Sequence, residues 1–188
     1  MHPNSMTSFL RTLLARVLPG EPARIIVSGM PKSGTTAVAM LLGAAAGLRV
    51  NSDPFNRMDQ AGIQFRDPLY SGSLRFAALL DRHSRFFKGE LIKDPNFIYF
   101  ADETRELFPN AEFVFVIRDP RDNIRSLLNR LKLPGRVQRE PSAYQGINPT
   151  WRRVLEGRTP DVPGANYVER IAERWALASR LYLERRDW

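Results

Sequence analysis

The stretch GMPKSGTT, residues 29–36, has the residue types of a loop that binds phosphate. It follows the apolar run RIIVS and precedes AVAMLLGAAAGL, so it lies between a predicted strand and a predicted helix. A glycine-bearing turn at such a junction aims backbone N–H groups and the positive end of the helix at an anion. We call residues 29–36 the phosphate loop.

The position of the lysine in this loop is unusual. In the common nucleoside triphosphatase pattern, G-x-x-x-x-G-K-[ST], the lysine directly follows the second glycine and the next hydroxyl holds Mg²⁺. Here Thr35 occupies the lysine position, and Lys32 lies two residues before Gly34. Neither RIIVS nor FVFVIRD has an aspartate directly after its apolar run to hold Mg²⁺. The loop therefore predicts a metal-independent transfer at a 5′ phosphate group.

A second pair of candidate ligands lies in FVFVIRDPRDNIRSLLNRL. Arg118 comes at the carboxyl end of a predicted strand, and Ser126 follows eight residues later within the next helix. Open parallel sheets bind ligands at the carboxyl ends of their strands. Arginine offers a planar fork to phosphate oxygens and serine a hydroxyl, so the pair predicts a second phosphate site.

Short apolar runs alternate with helical patterns along the chain. This alternation predicts a single domain with a three-layer α/β/α, phosphate-loop (P-loop) nucleotide-binding fold around a central parallel sheet. Residues 133–165, which hold five prolines and four glycines, are expected to form an irregular lid or acceptor segment. We predict strands at residues 24–29, 90–94 and 112–119, and helices at residues 35–47, 99–108, 121–132 and 165–186.

Composition limits the classes of partner. In 188 residues, 28 Lys and Arg against 20 Asp and Glu give a net charge of +8, which favours a polyanionic ligand. The chain has no cysteine, which excludes disulfides and thiolate zinc sites. The dispersed basic residues accompany no nucleic-acid motif, so we expect no nucleic-acid partner. Residues 1–22 are predicted to form an amphipathic helix and not a membrane span, which indicates a cytoplasmic protein.

The two motifs together resemble those of the sulfotransferases that use 3′-phosphoadenosine 5′-phosphosulfate. PKSGTT is similar to their 5′-phosphosulfate loop, and RDPRDNIRS is similar to their 3′-phosphate motif. The order of IKDPNF and FPNAEFVFVIRDPRD is also similar to that in bacterial and carbohydrate-acting members. The resemblance covers residues 24–130, with weaker support from the helix around Trp175.

The resemblance implies transfer of a sulfuryl group from that nucleotide to a hydroxyl or amine of a carbohydrate or small molecule, without a metal. Lys32 would stabilise the charge that develops on the bridging oxygen as the bond to sulfur breaks. The implied nucleotide-binding residues are Pro31, Lys32, Ser33, Gly34, Thr35, Thr36, Arg118 and Ser126.

The base that removes the acceptor proton has several candidates. Cytosolic relatives use a histidine shortly after a lysine in the region matching Lys93, but this chain has KDPN there. Asp94 is our first choice because it lies at a predicted strand end, and a helix cap or ion pair is its alternative role. Asp53, Asp59 and His83 are the other candidates.

Two features depart from the family pattern. Many cytosolic members have a tryptophan directly after the paired threonines to stack on adenine, whereas this chain has Ala37. The family domain also continues beyond the helix around Trp175 into another strand, so we expect the domain to be incomplete after Trp188. A vacant sheet edge would favour self-association into a homo-oligomer.

Two other functions remain open from the sequence. One is a relative that binds a nucleotide or an anionic glycan without turnover. The other is a P-loop small-molecule kinase, which would bind ATP with Mg²⁺; the absence of a lysine after Gly34 argues against it.

Overall fold

A computed structural model describes residues 23–136, 144 and 146–187. The predicted amphipathic helix at residues 1–22 lies outside the described residues. In the described part of the chain, no helix is long and apolar enough to cross a membrane.

The centre of the fold is a four-stranded sheet in which every pairing is parallel. The spatial order of the strands is β2-β3-β1-β4, so β1 lies in the interior beside β3 and β4. The strands are β1 (Ile25–Gly29), β2 (Val50–Ser52), β3 (Leu91–Lys93) and β4 (Glu112–Val116).

Helices connect the strands and cover the sheet. Short 3₁₀ helices at Ser84–Phe87 and Pro95–Phe100 lie on either side of β3. The α-helices are α1 (Thr35–Ala46), α2 (Pro54–Gln60), α3 (Arg66–Tyr70), α4 (Phe76–Arg82), α5 (Ala101–Leu107), α6 (Pro120–Leu131), α7 (Pro149–Leu155) and α8 (Tyr167–Leu183).

Alternate residues of β1 supply the cores on the two faces of the sheet, as the two-residue period of a strand requires. Ile26 is fully buried in a cluster rich in phenylalanine, whose central ring, Phe55, makes edge-on contacts with five others. Val27 packs on the opposite face against Ala39 of α1. The prediction of an α/β fold with helices on both faces of a parallel sheet is confirmed.

The three strands predicted from apolar runs are all present, but the sequence missed β2. Its three residues, VNS, carry no apolar run. The strand is held in part by Asn51, whose amide donates to the carbonyl oxygens of Phe86 and Lys88, each at 2.8 Å. Such a contact depends on residues far along the chain, so no local pattern indicates it.

The expectation of an irregular connection over residues 133–165 is wrong at residues 149–155. Helix α7 forms there because Pro149 stands at its first position and the Asn148 side chain caps it by accepting from Thr150 N at 2.8 Å. Its apolar residues Val154 and Leu155 are buried. The role of this segment as a lid or acceptor surface stays a prediction.

Candidate functional site

The phosphate loop turns sharply between β1 and α1. Gly29 ends β1 with φ 144°, and a Cβ there would lie 2.5 Å from the carbonyl oxygen of Val116 in β4, so only glycine fits. Lys32 and Gly34 also have positive φ, 70° and 95°. This backbone places the start of α1, at Thr35, beside the cavity described next.

A cavity of about 750 Å³ opens at the carboxyl ends of the strands. The segments that follow all four strands contribute to it: Lys32 after β1, Asp53 after β2, Asp94 after β3 and Arg118 after β4. The remaining lining residues include Thr35, Thr36, Asn56, Gln60, Arg66, Lys93, Asn96, Ser126, Arg130, Asn148, Thr150, Trp151 and Arg174.

Arg118 and Ser126 both line this cavity with the phosphate loop. The guanidinium of Arg118 donates from Nη1 to the carbonyl oxygen of Lys32 at 2.9 Å. The carbonyl oxygen of Arg118 accepts from Trp175 Nε1 of α8 at 3.1 Å. The two predicted phosphate motifs therefore lie next to each other, and Arg118 of the second motif is hydrogen-bonded to the phosphate loop.

Asn123 of α6 makes a second connection between the two motifs. Its side chain is completely buried, and Nδ2 donates to the carbonyl oxygen of Pro31 at 2.8 Å and to Ser33 Oγ at 3.0 Å. Asn123 Oδ1 has no hydrogen-bond partner within the described residues. The amide thus fixes the backbone of the phosphate loop from the helix that carries Ser126.

Asp53 and Lys93 form an ion pair in the cavity, with Lys93 Nζ 2.7 Å from Asp53 Oδ2. The Lys93 side chain is 3% exposed, whereas that of Asp53 is 38% exposed. Asp53 precedes α2 and has a left-handed backbone with φ 53°. The Asp53 carboxylate is thus presented to the cavity, and the buried ammonium group of Lys93 fixes its position.

Asp94 is placed differently, because its side chain is fully buried. One carboxylate oxygen accepts from Asn96 N at 2.9 Å and Asn96 Nδ2 at 2.6 Å, and the other accepts from Phe55 N at 3.0 Å. Burial raises the pKa of Asp94, while the hydrogen bonds from Asn96 act in the opposite direction. Asp94 caps the 3₁₀ helix at Pro95–Phe100 and, through Phe55 N, fixes the first turn of α2, which directly follows Asp53.

The other two candidate bases, Asp59 and His83, do not line the cavity. Asp59 pairs with the buried Arg66 at 2.7 Å and also accepts from Thr150 Oγ1 at 2.9 Å. His83 directly follows α4, packs its ring near Phe86 and is not among the residues that line the cavity.

The model of the Sulfotransferase family matches residues 57–174, which is more than half of the chain. The chain belongs to the sulfotransferase family. The matched range contains Arg118 and Ser126 and begins after the phosphate loop, so the assignment of that loop rests on its own sequence and geometry.

Two curated relatives are protein-tyrosine sulfotransferases. The one from Drosophila melanogaster is 25% identical over 157 residues, covering 72% of this chain and 31% of the relative. Protein-tyrosine sulfotransferase A from Caenorhabditis elegans is 26% identical over 125 residues, covering 56% of this chain and 33% of the relative. The alignments thus cover about a third of the length of these relatives.

Sequence reasoning missed several buried polar residues of the site: Arg66 and Arg174, which line the cavity, and Asn123, which contacts the phosphate loop. Arg66 and Arg174 are single polar residues in helices, and they become notable only through their burial. For Asn123 a signal was available, since it lies between Arg118 and Ser126 in the motif that resembled a 3′-phosphate site.

We expect Asn123→Ala to weaken adenosine 5′-phosphate and 3′,5′-bisphosphoadenosine about equally, by roughly tenfold. The loss of two hydrogen bonds to the phosphate loop costs about 1 to 3 kcal/mol and affects every ligand of that loop. Calorimetric titration of both nucleotides measures this. Asn129→Ala, on the exposed side of the same helix, is the matched control. Unchanged affinities in Asn123→Ala would exclude the positioning role.

Proposed function

We propose that this chain binds 3′-phosphoadenosine 5′-phosphosulfate and transfers its sulfuryl group to a hydroxyl or amine of an acceptor. The observation that carries the proposal is the convergence of the phosphate loop, Arg118 and Ser126 on one cavity in a sulfotransferase-family chain. The 5′-phosphosulfate occupies the phosphate loop, and the 3′ phosphate lies between Arg118 and Ser126. A volume of about 750 Å³ lies within the range of small-molecule sites.

Lys32 acts on the bond that breaks. In the transfer, the acceptor oxygen or nitrogen forms a bond to sulfur while the bond from sulfur to the bridging phosphate oxygen breaks, which leaves 3′,5′-bisphosphoadenosine. Negative charge develops on the bridging oxygen, and a lysine ammonium at that position stabilises it more in the transition state than in the ground state. Lys32 is exposed on the loop and lines the cavity, as this role requires.

The geometry favours Asp53 over Asp94 as the base that takes the acceptor proton. A base must come within hydrogen-bond reach of the acceptor. Asp53 is partly exposed in the cavity and oriented by Lys93, whereas both oxygens of Asp94 accept hydrogen bonds from the protein. In this proposal Asp94 is a positioning residue that fixes the turn carrying Asp53.

The acceptor is a carbohydrate, a small molecule or a phenolic hydroxyl. The first two follow from the likeness of the motifs to carbohydrate-acting members. The third is suggested by the names of the two curated relatives, which are protein-tyrosine sulfotransferases. A panel of the three acceptor types with radiolabelled donor distinguishes them.

Lys32→Ala should lower the rate of sulfuryl transfer at least about a hundredfold, because it removes the stabilisation of the leaving oxygen. The melting temperature should be unchanged, since the side chain is exposed. The assay measures bisphosphate nucleotide release under saturating donor. Lys88→Ala, at another exposed lysine outside the cavity lining, is the control. A normal rate in Lys32→Ala would refute the role.

Arg118→Ala and Ser126→Ala should weaken 3′,5′-bisphosphoadenosine more than adenosine 5′-phosphate. Loss of a charge-assisted contact costs about 1.5 to 3 kcal/mol, so Arg118→Ala should weaken the bisphosphate at least about tenfold. Arg118 also contacts the phosphate loop through Lys32, so Ser126→Ala is the cleaner probe of 3′-phosphate selectivity. Arg121→Ala, whose side chain is 90% exposed, is the control. Equal weakening of both nucleotides in both variants would contradict the 3′-phosphate assignment.

Two variants, Asp53→Asn and Asp94→Asn, test which aspartate is the base and which is the positioning residue. Asp53→Asn should lower the transfer rate about a hundredfold or more, because it removes the proton acceptor. It should also lower stability, because the buried Lys93 loses its counter-ion. Asp94→Asn should mainly lower stability, by about 1 to 3 kcal/mol, because its new NH₂ group faces a backbone N–H. Denaturant unfolding and initial rates are measured for both. If Asp94→Asn is stable and inactive while Asp53→Asn is active, Asp94 is the base.

A further inference from the structure

Arg174 is a buried cation at the cavity that the proposed function leaves unassigned. It lies on α8, directly before Trp175, and only 2% of it is exposed. It lines the cavity together with Asn96 and Pro95, which follow β3. Arg174 thus lies on a different element from the phosphate loop, Arg118 and Ser126.

The contacts of Arg174 leave part of its guanidinium unsatisfied. Nε donates to the carbonyl oxygen of Thr159 at 3.1 Å, and Nη2 donates to Asn96 Oδ1 at 3.3 Å. The guanidinium lies 4.9 Å from the centre of the Tyr99 ring. Nη1 is buried and has no hydrogen-bond partner in the described part of the chain.

Asn96 cannot neutralise this charge. Its Oδ1 is shared, because it also accepts from Tyr70 Oη at the shorter distance of 2.6 Å. Among the described residues, no carboxylate forms an ion pair with Arg174, whereas the other buried arginine of the cavity, Arg66, pairs with Asp59 at 2.7 Å. Arg174 therefore keeps an unpaired positive charge away from solvent.

An unpaired buried charge is costly. Arginine stays protonated at physiological pH, and its burial without a counter-ion costs free energy that neutral acceptors only partly offset. Arg174 Nε and Nη2 each donate one hydrogen bond to a neutral acceptor, and the guanidinium contacts one aromatic ring. Nη1 donates no hydrogen bond within the described residues. An anion in the adjacent cavity would supply the missing counter-charge, and at low local dielectric that attraction is strong.

The other cationic groups of the cavity have partners or proposed ligands. Arg66 and Lys93 pair with aspartates, Lys32 and Arg118 are assigned to the phosphates of the donor, and Arg130 is exposed at the surface. Arg174 is therefore the buried cation of the cavity lining, within the described residues, that still requires an anion.

We propose that Arg174 forms an anion subsite, in which its guanidinium charge holds an oxyanion that occupies the end of the cavity next to Asn96. The inference rests on the proposed function for the identity of the ligands. Two sources share the required chemistry: the sulfuryl oxygens of the donor and a carboxylate or sulfate carried by the acceptor. The experiment distinguishes them.

Three variants test the subsite. Arg174→Gln removes the charge and keeps a polar side chain, and Arg174→Lys keeps the charge and loses the planar fork. Arg180→Gln, at an exposed arginine on the same helix, is the matched control. Melting temperatures of all variants accompany each titration, so that a loss of folding is separated from a loss of binding.

Calorimetric titrations use four probes on the full 188-residue chain. The first two are 3′,5′-bisphosphoadenosine and the intact phosphosulfate donor. The other two are sodium sulfate and sodium glutarate, which are added at constant ionic strength to the chain saturated with bisphosphoadenosine. Sulfate and glutarate are also titrated without nucleotide, so that the subsite is tested even if the nucleotide does not bind.

We expect Arg174→Gln to bind bisphosphoadenosine within about twofold of wild type and to lose about tenfold in affinity for the probe that fills the subsite. Loss with the intact donor and with sulfate assigns the subsite to the sulfuryl group. Loss with glutarate, at unchanged donor affinity, assigns it to an acceptor carboxylate. Arg174→Lys should lose less than Arg174→Gln, and Arg180→Gln should match wild type.

Two results would overturn the subsite. One is wild-type affinity for every probe in a folded Arg174→Gln variant. The other is an absence of measurable sulfate and glutarate binding in wild type, together with equal loss of both nucleotides and a lowered melting temperature in Arg174→Gln, which would make the arginine structural. Failure of wild type to bind either nucleotide would instead refute the proposed function, and the nucleotide-free titrations would then decide the subsite alone.

Discussion

The parallel pairing of β1 with β4 is the constraint on which the site depends. Gly29 at the end of β1 is in register with Val116 at the end of β4, so the segments that follow the two strands emerge side by side. Arg118 can then reach the carbonyl oxygen of Lys32, and Asn123 can reach Pro31 and Ser33. Two phosphate motifs nearly ninety residues apart in the sequence become one surface through this pairing.

The two strands on the other side of β1 complete the site by the same geometry. β3 ends beside β1, β2 ends beside β3, and the residues that follow them, Asp94 and Asp53, differ sharply in environment. One carboxylate is enclosed by N–H donors, and the other remains partly in contact with solvent and paired with Lys93. The two aspartates at equivalent sheet positions thus differ in environment, and on this ground we propose a structural role for Asp94 and a chemical role for Asp53.

The sequence predicted the parts of the molecule that local patterns specify. The apolar runs of β1, β3 and β4 and the two phosphate motifs were visible because each is encoded within about ten residues. The strand β2 was not, since VNS is held by distant carbonyl groups, and the capped helix α7 was hidden among prolines and glycines. The choice between Asp53 and Asp94, and the unpaired charge of Arg174, depend on burial, which only the packed chain determines.

The two glycines of the phosphate loop differ in how much sequence change they permit. Gly34 has a positive φ, but no atom of the described residues lies within 4 Å of the position that a Cβ would take. Asparagine or aspartate, which adopt that backbone most readily, are therefore compatible with the turn. At Gly29 the same atom would collide with the β4 backbone, whatever the side chain. In a library of all single substitutions, we therefore expect position 29 to tolerate only glycine, whereas position 34 should tolerate a few other amino acids.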